Sequence, residues 1–93
     1  MMRIDFDPAK DKANLAKHGI TLAAAREFFE SPTISEVDSR VDYGERRVIA
    51  YGVIAFRVYC CVYTDRGDVR RVISLRKANH DETETYFEGI GSR

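Results

Sequence analysis

The stretch from Tyr63 to Asn79, YTDRGDVRRVISLRKAN, constrains this chain more than any other. Asp65-Arg66-Gly67-Asp68 reads as a hairpin turn with Gly67 at a positive-φ position, and alternating strands lead into and out of it. The outgoing strand, Val69 to Arg76, carries arginines on both faces, and Arg76 and Lys77 form a second basic pair where it ends. With Arg66, Arg70 and Arg71, this bunching of basic residues suits the handling of phosphate. The rest of the chain reads as a scaffold that presents this strand.

Ile4-Asp5-Phe6 alternates as a short first strand. Asp7 then offers an N-cap acceptor ahead of Pro8, and a helix is predicted from there to about His18, where Gly19 stops it in the left-handed conformation. Thr21 caps a second helix with Leu22, Ala25, Phe28 and Phe29 on one face, ended by Pro32; the two helices make a hairpin. From Thr33 the period becomes two. Strands are predicted at Ile34 to Val37, Arg46 to Tyr51, Arg57 to Thr64 and Val69 to Arg76. A polar loop joins the first pair at Asp38 to Gly44, and a turn at Gly52 to Phe56 joins the next. Asp81 to Glu88 is a last short helix capped by Asn79 or Asp81. The fold class is α+β: an N-terminal strand and helical hairpin packed on a four-strand antiparallel meander, with a short C-terminal helix.

Strict alternation would place Val48, Ala50, Val58, Cys60, Val62, Ile73 and Leu75 on a core face. It would leave Arg47, Tyr51, Arg57, Tyr59, Tyr63, Arg70, Ser74 and Arg76 on an open one. Tyrosines that stack on bases and arginines that pair with phosphates suit single-stranded RNA. The same composition is also ordinary for half-buried strands. Arg71 falls with Ile73 and Leu75 on the core face, so it must emerge at the strand end or the register must shift by one.

Ninety-three residues make one small domain, residues 1–93, burying ~60–65% of its unfolded surface. Hydrophobic residues at 44% and charged residues at 32% describe an ordinary globular chain. No apolar run approaches the roughly 20 residues of a membrane span, and the N-terminus lacks a signal-peptide core. A cytoplasmic protein without a membrane partner is expected. Formal net charge is zero, which argues against strong non-specific binding to nucleic acid, yet its distribution is uneven. Residues 1–39 carry −2, residues 40–77 carry +5 and residues 78–93 carry −3. Either a polyanion surface, a partner-covered face or plain scatter gives that pattern.

Cys60 and Cys61 are adjacent in a strand, point to opposite faces and read as small apolar fillers. No metal constellation, Walker loop, GxSxG or GxGxxG is present, so no metal or cofactor is expected. Asp81, Glu82 and Glu84 read as a solvated helix end, with His80 beside them. Lys17 and His18 either offset the negative end of the first helix or serve in proton transfer.

Six pieces occur in order: Phe6-Asp7-Pro8-Ala9-Lys10, Asn14 to Gly19 (NLAKHG), Tyr43-Gly44-Glu45-Arg46, Tyr63 to Gly67 (YTDRG), Arg71 to Ala78 (RVISLRKA), and Glu84 with Tyr86. Together, over roughly residues 4–88, they resemble the BrnT family of toxins from bacterial type II toxin–antitoxin systems. The resemblance implies a RelE-like fold and a metal-independent endoribonuclease that cleaves RNA and arrests growth. It also implies a BrnA-type DNA-binding antitoxin that neutralises the toxin and carries it to operator DNA. Carried over by position, it makes Lys17, His18, Arg71 and Arg76 the catalytic candidates, with Arg71 and Arg76 on the scissile phosphate. Arg57, Tyr63, Arg66, Arg70, Lys77 and Tyr86 are the RNA-binding candidates. Two departures stand out: Phe6 replaces a common Trp, and the last helix, HDETETYFE, is acidic where relatives are often basic. That acidity keeps a second expectation open, a catalytically weak homologue acting mainly as antitoxin-binding co-repressor.

Overall fold

The computed structural model describes residues 2–39 and 44–91. Tyr43, one of the resembling residues, and most of the predicted polar loop lie outside them. The first strand, β1, is Arg3–Asp5, one residue earlier than the alternation suggested. Helix α1 (Pro8–His18) opens and closes as its ends dictate. Asp7 accepts from the Lys10 amide at 3.0 Å, and Gly19 closes the last turn at φ 74°. The predicted second helix breaks into a 3₁₀ turn (Leu22–Ala24) and a single α turn, α2 (Ala25–Phe28). Thr21 makes no side-chain cap; the Asp11 carboxylate accepts the Leu22 amide instead, at 2.8 Å, tying the 3₁₀ turn back to α1.

Four longer strands follow: β2 (Ile34–Asp38), β3 (Arg47–Ile54), β4 (Arg57–Arg66) and β5 (Val69–Lys77). They form the expected antiparallel meander, and β1 adds a fifth strand, parallel to β5, for the order β1-β5-β4-β3-β2. The β3–β4 turn is shorter than predicted, with only Ala55 and Phe56 between paired Ile54 and Arg57. Both turn residues have positive φ, 47° and 66°, a conformation two-residue hairpins favour but side chains resist. The Glu27 carboxylate accepts the Ala55 amide at 3.1 Å and helps hold it. Helix α3 (His80–Gly91) is longer than predicted and begins at an Asn79 cap.

Two register facts overturn the single core face and the single open face. The tight β3–β4 turn aligns Ala50 with Cys61, not with Cys60. The second is a bulge in β5: Val62 pairs with Ser74, but the next residue, Tyr63, pairs with Val72, leaving Ile73 as an extra residue. Beyond Ile73 every side chain of β5 swaps face relative to strict alternation. Val72 therefore joins Leu75 in the core, both fully buried, and Arg71 turns to the opposite side. The eight residues expected on one open face split evenly. Arg57, Tyr59, Tyr63 and Arg70 lie on the α2 side; Arg47, Tyr51, Ser74 and Arg76 lie on the α3 side.

The main core occupies the α2 side, where Leu22, Ala25 and Phe28 pack on Ala50, Ile54, Cys61, Tyr63, Val72 and Leu75. At roughly 1.5–3 kcal/mol for each large apolar side chain withdrawn from water, this layer dominates the fold's stability. Helix α1 is fixed differently. β1 pairs only with residues 69–71 of β5, so farther along that edge the Leu75 peptide needs another partner. Buried Asn14 supplies it: its amide nitrogen donates to the Leu75 carbonyl at 2.8 Å, and its oxygen accepts the Leu75 amide at 3.1 Å. One side chain stands in for a missing strand. The other side of the sheet has a thinner core of Val58, Cys60 and Tyr86, covered by α3. Both cysteines are free and buried, one on each face, as expected of fillers, and burial pushes the Cys61 thiol up.

Candidate nucleic-acid interface

On the α3 side, Tyr51, Cys60 and Arg76 form a row across β3, β4 and β5. Farther toward the β4–β5 hairpin, Asp38 pairs with Arg47, Thr64 with Arg71, and Arg71 with Asp5 of β1. Between these levels lie Ile49, Val62 and Ser74. The bulge thus puts the two arginines expected at a scissile phosphate on one face, at separate levels of it. Without it, Arg71 would point into the core.

Each of these arginines is held by a carboxylate. Arg71 Nη1 donates to Asp5 Oδ2 at 2.9 Å. Arg76 makes a two-pronged contact with Glu82 of α3, Nη1 to Oε1 at 2.7 Å and Nη2 to Oε2 at 2.8 Å. Glu82 also closes the start of its own helix. Its Oε1 accepts the Asn79 amide at 2.9 Å while Asn79 Oδ1 accepts the Glu82 amide at 2.8 Å, a reciprocal capping box. The Arg76 hydrogen bond holds the Glu82 carboxyl below the usual range, and the same bond raises the Arg76 guanidinium. Glu82 is therefore not the freely solvated residue the sequence suggested; its side chain is only 17% exposed. The Asn-x-x-Glu spacing was a visible signal for its capping role, and nothing local announced the arginine.

Lys17 is exposed and His18 half-buried in the last turn of α1. His18 stands one turn beyond Asn14 on the same helical face, the face directed at the β5 edge. Among the described residues neither forms a hydrogen bond or ion pair with Arg71 or Arg76. The structure brings the arginines to one face and sets the Lys17–His18 pair on the adjoining helix.

The RNA-binding candidates separate. Arg66 is on the arginine-bearing face, paired with Glu45 at 2.9 Å. Tyr86, expected at an RNA surface, is buried under α3, its hydroxyl donating to the Pro32 carbonyl at 2.8 Å. Tyr63 is likewise a core residue on the α2 side, where its ring meets Phe29 edge-on at 5.2 Å. Burial pushes its phenol up. Arg70 lies over the Tyr63 ring at 4.2 Å and the Phe29 ring at 4.7 Å, and grips Asp65 with two hydrogen bonds of 2.8 and 2.9 Å. Arg57 and Lys77 are exposed at the far end of the α2 side. Apart from Arg66, none of these tyrosine and basic positions joins Arg71 and Arg76 on an open face: the tight β3–β4 turn puts Arg57 and Tyr63 on the α2 side, the β5 bulge puts Arg70 there, and Tyr86 packs between α3 and the sheet.

The imidazole of His80 and the carboxylates of Asp81 and Glu84 cluster on the first turns of α3, all exposed, with His80 Nε2 3.0 Å from Glu84 Oε1.

Comparison with known proteins gives this arrangement a context. The search of curated proteins returned no match. A crystal structure of the Brucella abortus ribonuclease toxin BrnT is similar at a TM-score of 0.65 and 29% identity, covering 86% of this chain and 100% of that one. The family model for the ribonuclease toxin BrnT of type II toxin–antitoxin systems matches residues 6–82. That span holds both arginines of the α3-side face and the Asn79–Glu82 cap, and the chain belongs to the BrnT family of ribonuclease toxins.

Proposed function

We propose that this chain is a metal-independent endoribonuclease toxin that works in the cytoplasm, arrests growth by cleaving RNA, and is neutralised by a BrnA-type DNA-binding antitoxin. The supporting observation is the shared face of Arg71 and Arg76, created by the β5 bulge. In-line attack of a ribose 2′-hydroxyl on its own phosphate needs a proton acceptor, a proton donor and positive charge at the phosphorane. Arg76 and Arg71 supply the charge, and their planar forks match two phosphate oxygens. Lys17 and His18 are the proton-transfer groups of this scheme. Operator DNA is reached only through the antitoxin.

The test is expression without antitoxin, with and without Arg76→Ala, following growth and RNA integrity. The parent should arrest growth and cleave RNA; the variant should lose both while retaining a cooperative thermal transition. Undiminished toxicity of the variant would remove Arg76 from the site. A second reading, an antitoxin-binding co-repressor with weak catalysis, is favoured by the Glu82 carboxylate occupying the Arg76 fork. Absence of arrest from a folded parent, with retained operator binding in the antitoxin complex, would select it.

A further inference from the structure

A cavity of about 570 Å³ opens on the opposite side of the sheet, lined by Met2, Arg3, Ile4, Arg26, Phe29, Glu30 and Arg70. Arg26, Arg70 and Glu30 border an apolar surface of Met2, Ile4 and Phe29, and Arg3, which shares the parity of Asp5 in β1, stands at the rim on the sheet edge. Its size falls within the range of small-ligand sites. Its arginines also differ from those of the hairpin. Arg66, Arg70, Arg71 and Arg76 each already face a carboxylate: Glu45, Asp65, Asp5 and Glu82. Among the described residues no carboxylate pairs with Arg3 or Arg26. These two cations are set to meet an external anion, while Arg70, clamped by Asp65 and stacked on Phe29 and Tyr63, is a rigid wall between them and the core.

The cavity is continuous with the arginine-bearing face around one edge of the sheet. Ile4 pairs with Arg70 and Asp5 with Arg71, and successive strand residues point to opposite faces. The cavity and the Arg71–Asp5 pair therefore stand back to back across β1, a three-residue edge strand. A single-stranded polyanion bound at Arg71 has a short path round that edge.

We infer that the cavity is an RNA subsite remote from the scissile phosphate, with a base against Phe29 and Ile4 and backbone phosphates on Arg3 and Arg26. This rests on the ribonuclease reading above. Base stacking with phosphate pairing needs no fixed sequence, so the subsite extends the bound length of RNA without dictating its sequence.

The experiment compares a dinucleotide, which reaches only the arginine-bearing face, with a single strand of roughly ten nucleotides, long enough to span a typical groove. For Arg3→Glu/Arg26→Glu, kcat/KM on the longer RNA should fall on the order of tenfold, with a shallower dependence on salt, while the dinucleotide changes little. Equal losses on both substrates, or none, overturn the subsite. If the parent cleaves neither RNA, the ribonuclease reading fails by itself. Anisotropy with an uncleavable 2′-O-methyl strand then decides the subsite: tighter binding by the parent than by the double variant supports it, and equal binding overturns it. Intact RNA affinity with weakened retention of the antitoxin assigns the cavity to a protein partner and overturns the RNA assignment.

Discussion

The two sides of this sheet are built on different principles. The α2 side is a dry layer in which Phe28, Leu22 and Leu75 are fully buried and ring packs edge-on against ring. The α3 side has a small core under Tyr86, and much of its remaining organisation is charge paired with charge, Arg76 with Glu82 and Arg71 with Asp5. Burial without direction makes one side stable; directed hydrogen bonds give the other a defined arrangement of cations at modest stability. A phosphate can exchange with a carboxylate, whereas nothing exchanges with a buried phenylalanine. The difference separates the layer that folds the chain from the face on which its cations are arranged.

Substitutions probe that contrast by size of effect. Phe28→Ala should be the most damaging, removing about 3–5 kcal/mol through lost burial and the cavity left behind, read as a lower urea midpoint. A loss below that of any α3-side substitution would overturn the assignment of the main core. Glu82→Gln should cost about 1 kcal/mol at neutral pH, a modest figure because solvent reaches Arg76 and screens the pair. The pH dependence has a definite sign. The folded state holds the Glu82 carboxyl below its ordinary 4.5, so its stabilisation is complete above that value and is lost as pH falls through the depressed folded value. The midpoint gap between parent and variant should therefore close in acid; a constant gap would show that the carboxylate charge is irrelevant. Smallest is Tyr86→Phe, about 0.5–1 kcal/mol for the hydroxyl bond to Pro32, with RNA affinity unchanged. A drop in affinity would return Tyr86 to the interface.

Much of the fold was legible because its signals are local. Asp7-Pro8 and Gly19 marked the ends of α1, Gly67 marked the hairpin, and period-two stretches marked the four strands of the meander. The second helix was less legible. Its apolar spacing was sound, but a side chain eleven positions earlier, Asp11, takes the cap role, and the segment forms a 3₁₀ turn and one α turn. The site was only partly readable. The basic residues of β5 were evident as a cluster, but Asp5 lies 66 positions from its partner Arg71, and Asn14 lies 61 from Leu75.

By itself, the sequence determined an α+β fold of the BrnT type with its basic residues concentrated on the last hairpin. Caps, turns and alternation depend on neighbours a few residues apart, and they read the same in any context. Tertiary structure alone decided which arginines share a face. Side-chain direction in a strand is a parity, and one unpaired residue, Ile73, inverts it for everything beyond. Whether that residue bulges depends on the pairing of β5 with Tyr63 across the hairpin and on the burial of Val72 in the core cluster with Leu22 and Phe28. The second joins distant parts of the chain, and neither exists until it has folded.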